Sequence, residues 1–180
     1  MKEALSAAGL KLRPVPQSEA EPVGASDPVG FGVDAITPGI VVLDLDPILL
    51  LNDKRVTYTQ NPPCRRSGPF VCVEVADDRD ETTWAGLTFA YRPERLLLRP
   101  EWRLGGTERW RTKDQYLTDG ASLWRGPREA FADAAWREVH NSGDEIPRLS
   151  EAGLFSVRLK IERATATVQN RRRRRQEQRR

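Results

Sequence analysis

Gly39-Ile40-Val41-Val42-Leu43-Asp44-Leu45-Asp46-Pro47 is the stretch whose reading decides the fold. Its centre is apolar and β-branched, a glycine opens it and a proline closes it. Such side chains fit a pleated, buried surface, and Gly and Pro punctuate its ends. A second run of the same make stands at Pro69-Phe70-Val71-Cys72-Val73-Glu74-Val75. These two read as buried or half-buried strands joined by a long loop. A third strand is expected at Thr83 to Tyr91, and the charged Ala76 to Glu81 joins it to the second as a hairpin turn.

Between the first two runs, Ile48 to Leu51 is apolar and Asn52-Asp53 is a turn signal. Arg55 to Thr59 alternates like a strand or loop edge and leads into the cationic Cys64-Arg65-Arg66. This middle portion resembles the PemK/MazF family, the toxin ribonucleases of bacterial toxin–antitoxin pairs. The family opens on a strand like Gly39 to Pro47, then has a loop, an Arg before a Pro and an apolar strand, and a second apolar strand ending in Thr. Arg66 and Thr88, 22 positions apart, fit the last two places. Here Ser67 and Gly68 separate Arg66 from Pro69, where the family has Arg and Pro adjacent. The resemblance covers roughly residues 39–90. It implies a small SH3-like antiparallel barrel and a metal-independent endoribonuclease with Arg66 and Thr88 at the scissile phosphate. It further implies a homodimer, an acidic antitoxin partner and a plasmid or phage setting.

A chain of 180 residues is enough for one domain with a core of its own. Its residues are 38% hydrophobic and 31% charged, so the middle can fold while the surface stays wet. No apolar run is long enough for a membrane span, and Met1 to Leu5 is too polar for a signal peptide. Two cysteines, Cys64 and Cys72, do not make a disulfide framework, so a reducing cytoplasm is expected. The net charge is +3, yet Arg171 to Arg180 alone carries +6, which leaves −3 for everything before it. The basic pI therefore reports a tail, not a basic domain.

Four prolines between Pro14 and Pro28 make residues 1–37 a flexible arm, with at most a brief helix at Leu5 to Leu12. Residues 38–164 form the expected barrel. Arg92 to Arg95 and Leu104 to Gly106 read as turns, and Leu96 to Leu98 as a short apolar run. Thr107 to Tyr116 alternates imperfectly and supplies a peripheral strand, ended by Asp119-Gly120. One helix is expected at 127–139. Pro127 suits its first position, and Phe131, Ala134, Ala135 and Val139 form an apolar face. Phe155 to Ile161 alternates cleanly as an amphipathic strand after a helical turn at Leu149 to Ala152. Residues 165–180 form an Arg-rich disordered tail.

The chemistry follows from these placements. A guanidinium fork matches phosphate oxygens two at a time, which suits Arg66 and its neighbour Arg65 to RNA. Arg171, Arg172, Arg173, Arg174 and Arg175 suit non-specific phosphate contacts. His140, the sole histidine, sits where the expected helix ends and reads as a cap or surface residue rather than a general acid. Asp44 and Asp46 share a strand face, as metal carboxylates or as turn carboxylates. Cys64 and Cys72 lack the partners of a zinc site, and Gly105-Gly106 lacks the Lys-Ser/Thr of a phosphate loop, so no metal or cofactor is expected. The five tryptophans read mostly as core or interface anchors, with base stacking as the other use. Two functions stand: an RNA-cleaving toxin, or a non-catalytic nucleic-acid-binding adaptor that uses the barrel as a binding module and the Arg-rich tail for phosphates.

Overall fold

The computed structural model of this chain describes residues 29–59, 66–76, 78, 80–120, 122–140 and 145–178. The elements, in order, are β1 (Val29–Gly30), β2 (Val41–Leu45), α1 (Pro47–Asn52), β3 (Thr57–Tyr58), β4 (Gly68–Ala76), β5 (Glu81–Thr88), β6 (Leu97–Leu98) and β7 (Arg103–Leu104). There follow α2 (Glu108–Thr112), β8 (Gln115–Leu117), β9 (Leu123–Pro127), α3 (Arg128–Ala134), β10 (Val139–His140), β11 (Arg148–Leu149) and α4 (Glu151–Glu177). The three expected strands are β2, β4 and β5. The expected class holds: a mainly antiparallel sheet with helices. The expected closure does not. Strands run β2-β4-β5-β8-β6, with β9 on β5 and β3 on β9, and the sheet does not close into a barrel.

Strand β5 organises this sheet. One edge pairs with β4 along nearly its whole length, from Phe70↔Gly86 to Ala76↔Glu81. Its other edge is shared: Glu81 to Ala85 pair with β9, while Leu87 and Thr88 pair with β8. The change of partner falls at Gly86. A side chain there would meet the Thr118 hydroxyl at 3.2 Å, and that hydroxyl donates to the Gly86 carbonyl at 2.8 Å. Glycine is what lets the departing chain come so close.

Both faces of the sheet are covered, because the central strands are apolar on both sides. Val42, Phe70, Cys72, Trp84 and Trp124 pack with Leu50 and with Phe131 and Ala134 of α3. Val41, Val71, Val73, Ala85 and Leu117 face the other way, onto Trp110 and Val157 of α4. Trp84 is fully buried, stacks on Phe131 at 5.1 Å and donates its indole N–H to Thr82. Phe31 and Ile36 also lie in the first core. The flexible arm expected over residues 1–37 is thus corrected from Val29 onward, since apolar side chains before position 37 are buried.

Five further readings are corrected. The helix expected at 127–139 is shorter: Pro127 ends β9, and α3 stops at Ala134. Beyond it the chain turns so that the buried Glu138 accepts from the amides of Leu43 (2.8 Å) and Asp44 (3.0 Å), where β2 bulges against β4. His140 then lies in a strand pair with Val29, away from any helix end. The strand expected over Thr107 to Tyr116 divides into α2, capped by the Thr107 hydroxyl, and β8. The strand expected at Phe155 to Ile161 is part of α4, which Ser150 caps. Leu154, Val157 and Ile161 recur at helical spacing and pack inward, while Phe155 is 66% exposed. Finally, the run from 165 to 177, expected as disordered, continues α4 for residues rich in strong helix formers, with cations at the C-terminal end that suit the helix dipole.

Candidate nucleic-acid interface

Where β5 changes partner, a cleft of about 760 Å³ opens in the surface. That volume lies within the range of ligand sites, roughly 300–1,000 Å³. Its walls come from the start of β4, the end of β5, the turn after it, α2, and Thr118, Asp119 and Ser122. Arg66 and Thr88 both line it. Arg66 is exposed just before β4, and Thr88 is the half-buried last residue of β5. The Thr88 oxygen accepts from the Ala90 amide at 3.2 Å, which leaves its hydroxyl hydrogen available to a ligand.

Three more arginines line the same cleft: Arg92, Arg95 and Arg109. Arg95 donates to the Ala90 carbonyl at 2.7 Å, which pins the turn that follows Thr88. Arg109 lies over the Phe89 ring at 5.1 Å, and Lys113 lies over it at 4.7 Å. The Phe89 ring, which also lines the cleft, holds the Arg109 guanidinium at the cleft wall. The helix that carries Arg109 is itself fixed by the buried Arg103, whose guanidinium donates to the carbonyls of Trp110 (2.7 Å) and Lys113 (2.6 Å). Burial lowers the Arg103 pKa from its ordinary value. Against these cations the cleft sets two carboxylates, Asp44 and Asp119. An arginine-rich concavity of this kind favours phosphate and carboxylate ligands.

The other candidates fall elsewhere. Arg65 and Cys64 lie outside the described residues. Arg171, Arg172, Arg173, Arg174 and Arg175 occupy the last turns of α4. Asp46 is committed as the cap of α1, accepting from the Ile48 amide at 2.9 Å, so it does not pair with Asp44. Among the described residues no three or more His, Cys, Asp or Glu side chains converge to hold a metal ion. Cys72 is buried, and burial pushes its thiol up to about 12, so it is no nucleophile near neutral pH. Trp84, Trp110 and Trp124 are buried, whereas Trp136 is 58% exposed beside Arg137. The sequence singles out Arg66 and Thr88, and gives no comparable reason to single out Arg92, Arg95 and Arg109, which line the same cleft. Arg92 and Arg95 looked like turn residues and Arg109 like part of a strand. The available signal was their spacing, four and seven residues beyond Thr88 for the first pair.

No family model, curated protein or solved structure matches this chain. Among the described residues no helix is long and apolar enough to cross a membrane.

Proposed function

We propose that this chain binds single-stranded RNA in the β5 cleft and cleaves it without a metal ion, as a toxin similar to the PemK/MazF ribonucleases. The observation that carries this reading is the meeting of Arg66 and Thr88 in one arginine-lined cleft. In such a reaction the 2′-oxygen bonds to the adjacent phosphorus and the bond to the 5′-oxygen breaks. The 2′-hydroxyl proton passes to a carboxylate of the cleft, and the 5′-oxygen takes a proton from that acid or from water. Arg66 is assigned to the non-bridging oxygens, where charge develops and a planar cation fits. The Thr88 hydroxyl donates to the same phosphate. Asp44 and Asp119 are the carboxylates in the cleft able to accept the proton. Arg92, Arg95 and Arg109 carry the flanking phosphates. Action in the cytoplasm, a homodimer, a plasmid or phage origin, and inhibition by an acidic antitoxin that competes for the same arginines belong to this proposal.

Purified protein should cut single-stranded RNA in the presence of EDTA, and its expression should slow growth. Arg66→Ala should lower the cleavage rate by about 10²–10³. Arg66→Lys should rescue little, because an ammonium lacks the fork. Thr88→Val keeps the shape and should lose activity with the hydroxyl. The second reading, an adaptor that binds nucleic acid without cutting it, is favoured by the densest charge in the chain lying outside the cleft, on α4. Absence of cleavage with or without divalent metal, together with normal growth, would select that reading.

A further inference from the structure

The last turns of α4 form a second charged surface, independent of the cleft and of any reaction there. The packed half of this helix ends near Ala164, where Gly120 sits against the helix so closely that an added Cβ would lie 3.2 Å from the Ala164 methyl. From Ala166 to Gln178 every described side chain is exposed. Twelve residues, Ala166 to Glu177, therefore extend about 18 Å past the last packed turn. No acidic residue occurs between Arg163 and Gln176. Arg171 to Arg175 are consecutive, and at 3.6 residues per turn Arg171, Arg173, Arg174 and Arg175 alone spread over more than half of the helix circumference.

That spread decides the partner. A flat anionic surface, such as a membrane or an acidic protein face, would meet one side and leave the other cations in water. A duplex groove has a phosphate backbone on each side and so meets cations on both flanks of the helix as well as those near its floor. The major groove of B-form DNA is about 12 Å wide, the width of an α-helix, whereas that of an A-form duplex is deep and narrow. Like charges at i, i+3 and i+4, Arg171 with Arg174 and Arg175, repel in the free helix, and flanking phosphates would relieve them. We infer that the free end of α4 is a DNA-binding element that lies in the major groove of B-form duplex, with Gln169 and Asn170 one to two residues before the arginine run and able to face base edges.

The test is fluorescence anisotropy of the full chain with a labelled B-form DNA of about 20 base pairs, two helical turns. Single-stranded DNA of the same length, an RNA duplex of the same sequence and anionic phosphatidylserine vesicles are the comparison probes. Wild-type protein should bind the DNA duplex at least tenfold more tightly than any of the three. The variant R171Q, R172Q, R173Q, R174Q and R175Q should lose most of this affinity, and its log K against log salt slope should flatten by about 4. Ala166→Pro keeps every charge but breaks the helix before the arginines, and should abolish the duplex preference. The inference is overturned if the five-glutamine variant binds duplex as the wild type does, or if Ala166→Pro keeps the preference. Equal or tighter binding of the RNA duplex, the single strand or the vesicles would also overturn it. Loss of RNA cleavage bears only on the cleft and leaves this result untouched.

Discussion

Cys72 and Trp84 stand opposite each other on β4 and β5, and their side chains show how burial decides reactivity and stability. Water cannot reach the Cys72 thiol, so its neutral form is favoured and its pKa is pushed up to about 12. Folding therefore carries no penalty from this group at neutral pH. The penalty grows as pH rises past the ordinary thiol range toward 12, because only the unfolded chain ionises readily there. Stability should be flat through neutral pH and fall on the alkaline side, and Cys72→Ala should lessen that fall. Iodoacetamide at pH 7 should leave Cys72 unlabelled in the native protein and label it in denaturant, as peptide mass spectrometry would show. Labelling at equal rates in both would contradict the burial. Trp84→Ala should cost about 3–5 kcal/mol by denaturant melts, since it removes the ring stacked on Phe131 and the indole hydrogen bond to Thr82.

At the scale of elements, α4 is a helix with two different halves. Val157 is fully buried and Arg158 donates to the Val73 carbonyl at 2.8 Å, so the first half belongs to the core. The second half has no packed side chain among those described. A chain ending at Thr165 should keep its melting temperature within about 2 °C, whereas Val157→Ala should destabilise it by about 0.5–1.5 kcal/mol or more, by calorimetry. Unfolding of the truncated chain would place the free half in the fold. The sequence could show β2 and β4, because their β-branched runs are bounded by Gly and Pro and fit no helix, and β5 followed as the partner across the charged hairpin turn. It could not show α4. Phe155, Val157, Leu159 and Ile161 alternate as a strand would, but Leu154, Val157 and Ile161 also match a helix, and packing chose between the two periods. The arginine run hid its helix for a related reason: charge density looks like disorder, while the packed half supplies the nucleus that a free segment lacks. In the cleft, Arg66 and Thr88 could be singled out only through the resemblance, which puts an Arg ahead of the second strand and a Thr at the end of the third. Arg109 was not, because a five-residue helix held in place by Arg103 leaves little periodic signal.

For the whole molecule, the open sheet has ends that need protection, since unpaired strand amides are a template for another chain. The outer edge of β2 is occupied in two ways. Its first residues meet the segment around β11: Val41 donates to the Pro147 carbonyl at 2.8 Å, and Ile40 bridges to Arg148. Its middle is met by one carboxylate, the Glu138 group that accepts from both Leu43 and Asp44. That single side chain therefore acts as a gatekeeper against edge-to-edge polymerisation. Glu138→Ala would bare two adjacent amides on a strand whose neighbours are Val42 and Leu45. The variant should sediment as concentration-dependent oligomers or seed thioflavin-positive fibrils under conditions where Glu138→Gln, which keeps an acceptor oxygen, does not. A Glu138→Ala protein that stays as disperse as the wild type across the same concentrations would mean that the fold guards this edge by other means.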